Sequence, residues 1–248
     1  MRAGITILIP LWNEEAVVPF LLDDLNAGDL PAGAGILLLN DGSSDRTADA
    51  IAQWRGLHPA ANVQSMDLPH GGKDAALWHG FEQVQTEWVG MMDGDGQYCP
   101  GDFRRLLKMA QEHPADAVWG IRGKRCDYGW RLFISRIGRK VKRLALGHCC
   151  VSDTGCGIWI AKASHLRSLR QQCPAPAGQV HCHLPEYIQS RGGVVVEMDI
   201  QHRARQAGQA KFGALNRVLP GLRSIFQARR LVARSAGGST CRPGDRIR

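Results

Sequence analysis

Residues 90–100 read GMMDGDGQYCP, and three side chains in that stretch, Asp93, Asp95 and Gln97, could ligate a cation. The apolar run Trp88 to Met92 stops at the first acid. Carboxylates this close repel, and burying them costs on the order of several kcal/mol unless something positive compensates. Either they sit in water at a loop tip or they hold an ion. Hard oxygen donors suit Mg²⁺ or Mn²⁺, which in turn favours phosphate oxygens as the remaining ligands. The chemical task of such an ion would be to neutralise a leaving diphosphate. Gly94 and Gly96 would let backbone and a bulky ligand approach closely. An Asp-x-Asp alone is a weak signal; its place at a strand end, with Gln97 beside it, raises it.

Elements that could position these groups alternate through the first half of the chain. ITILIP reads as a strand and NEEAVVPFLLDDL as a helix, with Asn13 as its N-cap and Glu14 and Glu15 at its positive end. GILLLN, NVQSMDL, EWVGMMD and DAVWGI read as further strands; SDRTADAIAQWRGL, KDAALWHGFEQV and PGDFRRLLKMAQ read as helices between them. This order predicts an α/β fold, a mostly parallel sheet with helices on both faces. Ligands then bind beyond the carboxyl ends of the strands. Each polar cluster lies at such an end: Pro10, Trp12 and Glu14; Asn40, Asp41 and Gly42; Asp93, Asp95 and Gln97; Arg122. Loops are polar anyway, which accounts easily for one cluster and less well for four.

The second half changes character. From Tyr128 to Ser152 there is no acidic residue. Trp130, Phe133, Ile137, Val141 and Leu144 recur at helical spacing among Arg131, Arg136, Arg139, Lys140, Lys142 and Arg143. Phe212, Leu215, Leu219, Leu222 and Phe226 mark a second basic amphipathic stretch, which Pro220 should kink. Two such stretches favour an anionic membrane interface over a solvated face. The net charge of +8 in 248 residues agrees but does not choose between membrane, phosphorylated ligand and nucleic acid. Nucleic acid is the weak reading, since no aromatic platform is interleaved with the basic residues. No apolar run approaches the length of a membrane span, and residues 5–12 are too short for a signal sequence. The expectation is a cytoplasmic protein, peripheral on the inner face of the membrane. Residues 235–248 read as a disordered tail.

Eight cysteines without a CxxC pair read as reduced thiols rather than a zinc site. Extended alternation in His181-Cys182-His183 would point both imidazoles away from Cys182, favouring a surface or acceptor-site role over a metal. GGKDAAL is not a P-loop: position 67 is Asp where a glycine is needed, and Asp74 follows Lys73 where Ser or Thr is needed. AGAG at 32–35 precedes its strand and so is no dinucleotide fingerprint.

Together ITILIPLWNEE, LLNDGSSDRT, GGKDAAL, MMDGDGQYCP and VWGIR stand in the order and spacing of family 2 glycosyltransferases with the GT-A fold, which the chain resembles over about residues 4–230. WRLFISRIGRKV, VSDTGCGIWIAK and GGVVVEMDIQHRARQAGQAKFG resemble the polyprenyl-phosphate branch, similar to dolichyl-phosphate mannose synthase. The resemblance implies a catalytic domain over 1–210, with a nucleotide-sugar half (1–125) and an acceptor half (126–210), followed by amphipathic helices at 211–234. It implies a nucleotide-sugar donor and a polyprenyl phosphate acceptor, and leaves the oligomeric state open. Carried over by position, Pro10, Trp12, Glu14 and Asp41 would hold the nucleoside. Asp93, with Gly94, and Asp95 would face ribose and diphosphate, with Asp95 and Gln97 on the metal. Arg122, Arg205 and Lys211 would bind phosphates, Arg131 and Ser135 would meet the lipid phosphate, and Asp153 would sit near the reacting centre. The chain departs from the family where Asn40 replaces an acid, Trp12 a tyrosine and Ala210 a serine.

A phosphate acceptor is already largely ionised near neutral pH, its second pKa being about 6. Positioning and charge neutralisation can then carry an in-line, inverting attack, with Asp153 orienting the acceptor or acting as base. A hydroxyl acceptor would instead need a strong base, for which Glu186 is the candidate. A non-catalytic nucleotide- or membrane-binding relative is the other alternative.

Overall fold

A computed structural model describes residues 2–122, 151–173, 180–204 and 229. Arg131, Ser135, Arg205 and Lys211, both basic amphipathic stretches and the tail lie outside the described residues.

The strands are β1 (Arg2–Leu11), β2 (Gly35–Asp41), β3 (Val63–Leu68), β4 (Thr86–Met92), β5 (Ala117–Arg122), β6 (Ile158–Lys162) and β7 (Val195–Ile200). The helices are α1 (Val18–Ala27), α2 (Thr47–Leu57), α3 (Lys73–Gln83), α4 (Asp102–Glu112), α5 (Ala163–Gln172) and α6 (Leu184–Ser190), with a 3₁₀ turn at Val180–Cys182. One seven-stranded sheet runs in the order β3-β2-β1-β4-β6-β5-β7. Every pairing is parallel except those of β6, which lies antiparallel to both β4 and β5. The α/β, mostly parallel architecture expected from the sequence is therefore present. The two halves drawn at residue 125 share this sheet, because β6 inserts between β4 and β5.

Central strands of such a sheet are covered on both faces, so they read as continuous apolar runs. In β1, Ile5, Ile7, Leu8, Ile9 and Leu11 are at most 1% exposed. Right-handed crossovers put α1 and α2 on one face and α3, which returns the chain from β3 to β4, on the other. The reversed strand is fastened by Trp119 and Trp159, which are register partners and stack with centroids 5.1 Å apart.

One expected start is corrected. Asn13 does not cap α1, which begins at Val18 with proline in its first turn. Asn13 instead adopts a left-handed conformation, φ 52°. Its Oδ1 accepts the Ser44 N–H at 2.7 Å, and its own N–H donates to Ser43 Oγ at 2.9 Å. The Glu14 N–H donates to Thr47 Oγ1 at 2.8 Å and that of Glu15 to Asp45 Oδ2 at 3.2 Å. These residues tie the loop after β1 to the loop after β2, a contact between distant segments that no local pattern shows.

Candidate active site

The parallel strands deliver their carboxyl ends to one edge, where β1, β2, β4 and β5 release the polar residues singled out above. At the end of β2, Asp41 is 2% exposed. Its Oδ1 accepts the Gly71 N–H at 2.8 Å and its Oδ2 the Gly72 N–H at 2.9 Å. The His70 ring also lies 3.0 Å from Oδ2 and stacks on Trp12 at 4.8 Å between centroids. Asp41 thus fastens the loop before α3, and Trp12 and His70 form a flat aromatic surface beside it. A planar base could stack on that surface. Asn40 donates to Asp67 Oδ1 at 2.7 Å, so the position that lacks the second acid serves the β2–β3 edge. Pro10, within β1, and Glu14 are both half-buried near this end.

The end of β4 is built differently. Asp93 is paired with the Lys73 ammonium, whose Nζ bonds Oδ1. Burial alone would lower the Lys73 pKa, but the charge and hydrogen bond of Asp93, with Cys182 and Asp74, together raise it. The Asp93 N–H donates to the Gly157 carbonyl at 2.8 Å. A Cβ on Gly157 would lie 2.1 Å from Asp93 Oδ2, so only glycine lets β6 pass the carboxylate. Tyr98 Oη accepts the Gly157 N–H at 2.8 Å, and burial pushes the phenol far above its usual pKa, leaving it neutral. Asp95 Oδ1 accepts the Gln97 N–H at 3.2 Å. Gln97 Nε2 donates to the Arg203 carbonyl at 3.2 Å, which directs its amide oxygen elsewhere, and Arg203 is held by Asp24 at 2.8 Å.

The two glycines of this loop have separate causes. Gly96 has φ +72°, a left-handed turn position. Gly94 is buried, and a Cβ there would meet Leu11 Cδ2 at 2.3 Å and the Pro10 carbonyl at 2.9 Å. Its bareness serves packing on the end of β1, where the sequence suggested room for a ligand.

Arg122 ends β5 and grips Asp153 with two bonds, Nε to Oδ2 at 2.8 Å and Nη2 to Oδ1 at 2.9 Å. Burial alone would lower the Arg122 pKa; Asp153 outweighs it and raises it. Asp153 is 3% exposed. With both oxygens on the guanidinium, its geometry suits orientation of Arg122 more than proton abstraction. Glu186, the alternative base, lies wholly buried in the first turn of α6.

Among the described residues, no group of three His, Cys, Asp or Glu side chains could hold an ion. Asp95 and Gln97 alone would leave most positions of Mg²⁺ or Mn²⁺ to water and substrate phosphate, which is how such ions bind in phosphoryl sites. The donor set fits on those terms, with Asp93 available only after Lys73 lets go. His181-Cys182-His183 is corrected: Val180–Cys182 is a 3₁₀ turn, not an extended stretch, and it brings Cys182 onto His181.

Sequence reasoning passed over Lys73, His70, Tyr98 and Gly157. Lys73 did leave a signal, a cation at the positive end of a helix, where it is disfavoured without an outside partner. Of helices long and apolar enough to cross a membrane there are none among the described residues.

Comparison with known proteins bears on the family and the fold. The family model for glycosyl transferase family 2 matches residues 6–165, more than half of the chain. An undecaprenyl-phosphate 4-deoxy-4-formamido-L-arabinose transferase from Pseudomonas aeruginosa is 29% identical over 213 residues, covering 85% of this chain and 61% of that protein. Its counterpart from Pectobacterium carotovorum is 27% identical over 220 residues, covering 86% and 63%. The chain therefore spans less than two thirds of the curated relatives it matches. Glucosyl-3-phosphoglycerate synthase from Mycobacterium tuberculosis, solved with Mn²⁺, UDP-glucose and phosphoglyceric acid, superposes with a TM-score of 0.66 at 20% identity, covering 96% of this chain and 81% of that one. A mannosyltransferase from Pyrobaculum calidifontis, solved with GDP-mannose and Mn²⁺, gives 0.62 at 16% identity, covering 97% and 77%. These structures share the fold.

Proposed function

The chain belongs to glycosyl transferase family 2, and from that premise we propose that it transfers a sugar, with inversion, from a nucleotide-sugar to a polyprenyl phosphate at the inner face of the membrane. The observation that carries the reading is the convergence of Asp41, Asp93, Asp95 and Arg122 at one edge of the sheet. The polyprenyl phosphate comes from the relatives, named for undecaprenyl phosphate, that align with 85–86% of this chain.

In this reading Trp12 and His70 receive the base, with Pro10 and Glu14 lining the same end. Asp93 and Asp95 face the ribose and diphosphate. A divalent cation, Mg²⁺ or Mn²⁺, on Asp95 and Gln97 supplies charge neutralisation for the leaving diphosphate. Lys73, released from Asp93, adds positive charge on the same side. Arg122, held by Asp153, presents its remaining donor edge to a phosphate. Arg205, Lys211, Arg131 and Ser135 complete the phosphate contacts, and the basic amphipathic stretches hold the chain at an anionic lipid surface.

The deciding experiment offers a panel of radiolabelled nucleotide-sugars with polyprenyl phosphate in vesicles, with and without Mg²⁺ or Mn²⁺. Label should enter the lipid fraction from one donor, only with metal. No lipid-linked product from any donor, or equal transfer without polyprenyl phosphate, would sink the reading.

A further inference from the structure

One cluster of titratable and nucleophilic groups is left unused by that reaction. The Cys182 Sγ lies 3.2 Å from Nε2 of His181. The other ring nitrogen, Nδ1, lies 2.8 Å from Asp74 Oδ1, and the His181 backbone N–H points at the same oxygen at 3.4 Å. Sulfur, imidazole and carboxylate are thus linked in sequence. The Asp74 carboxylate accepts a hydrogen bond from Nδ1–H, which leaves Nε2 able to take the proton of the thiol. The carboxylate also fixes the ring and stabilises the imidazolium so formed.

The charges around the sulfur pull in opposite directions on His181, with a net effect that favours its protonated form. Burial alone would lower the His181 pKa, and Lys73 also works against protonation. Cys182 and the bond to Asp74 outweigh both and raise the value to about 9. Lys73, at the start of α3, is electrostatically coupled to Cys182 and to Asp74 as well as to Asp93. Among the described residues, His181 and Lys73 are electrostatically coupled to the thiol, and Asp74 reaches it through the His181 ring. Cys99, Cys156, Cys173 and Cys182 are all thiols, and Cys182 is partly exposed while Cys156 is buried.

We propose that Cys182 is a modification site, a thiolate held by His181 and Asp74 that reacts with hydroperoxides. The thiolate attacks one peroxide oxygen; the S–O bond forms as the O–O bond breaks. Sulfur loses two electrons and the peroxide gains them. The departing hydroxide, or the alkoxide from an organic hydroperoxide, takes the Nε2 proton and leaves as water or alcohol. The product is a sulfenic acid, which a second thiol can reverse. Oxidation adds an oxygen between the sulfur and His181, on the side of Lys73, and that added bulk disturbs the Lys73–Asp93 pair at the donor end. This last consequence rests on the proposed transfer reaction; the reactivity of the thiol does not.

The test separates the two. An ordinary thiol with pKa about 8.5 is under about 1% ionised at pH 6. With limiting iodoacetamide at pH 6 and peptide mass mapping of the full chain, Cys182 should label at least about tenfold faster than Cys99 and Cys173. After hydrogen peroxide, a dimedone adduct should appear first on Cys182. Asp74→Asn should slow labelling of Cys182 and leave that of Cys99 unchanged. Equal labelling of the three cysteines in the wild-type chain overturns the proposal without reliance on any variant. In the transfer assay, Cys182→Ser should keep basal activity and lose peroxide inhibition. If no donor is turned over, the mass labels still decide the fate of the thiol.

Discussion

Asp41, at the end of β2, and Asp93, one residue beyond β4, are both strand-end carboxylates, yet their partners differ in kind. Asp41 is 2% exposed and both its oxygens accept backbone N–H groups of Gly71 and Gly72. Asp93 has a side chain 32% exposed and its partner is an ammonium on a flexible stem. Backbone donors are fixed by the fold and cannot leave without unfolding a loop. An ammonium can rotate away when a stronger cation arrives. The β2 end is a preset wall, and the β4 end holds an exchangeable counter-ion.

Four measurements would break or sharpen that contrast. Asp95→Ala should lower metal-dependent sugar transfer by on the order of 10²–10³-fold with the far-UV spectrum unchanged, since the exchangeable end carries the chemistry. Comparable transfer by this variant and the wild type would remove the metal from this loop. Arg122→Ala strips a buried carboxylate of its partner and should cost about 3 kcal/mol in urea unfolding, more than any single change in the β4 loop. Gly94→Ala forces a Cβ against Leu11 and the Pro10 carbonyl and should cost about 2 kcal/mol, whereas Gly96→Ala, strained only in its backbone, should cost about 1 kcal/mol. Equal losses would mean that packing on β1 is not what requires Gly94. Lys73→Met should have the smallest effect: Mn²⁺ binding to the substrate-free protein, read by electron paramagnetic resonance, should tighten by about threefold as Asp93 is released. Unchanged Mn²⁺ affinity would show that Lys73 does not compete with the cation.

Much of the fold was legible because the central parallel strands are buried on both faces and so stand out as apolar runs. β1 to β5 and α2 to α4 fall within a few residues of their sequence boundaries. The start of α1 was misread because Asn13 and Glu14 satisfy a cap pattern locally but spend their hydrogen bonds on residues 43–47. β6 could not be placed by pattern, since its reversed position between β4 and β5 depends on which strands are left to pair. The 3₁₀ turn at Val180–Cys182 was hidden for a similar reason: three residues carry no periodicity.

The sequence by itself determined which residues stand at the strand ends, because strand length and apolar content are local properties. Asp41, Asp93, Asp95, Gln97 and Arg122 were all found in this way. Only the tertiary structure decided their partners. Lys73 and Asp93 are 20 residues apart, Arg122 and Asp153 31, and His181 and Asp74 107. Such pairs form where a shared sheet brings its edges together and burial makes a lone charge costly. That pairing set Asp41 as a fixed wall, Asp93 as a holder of exchangeable charge and His181, the neighbour of Cys182, as an imidazole held by a carboxylate.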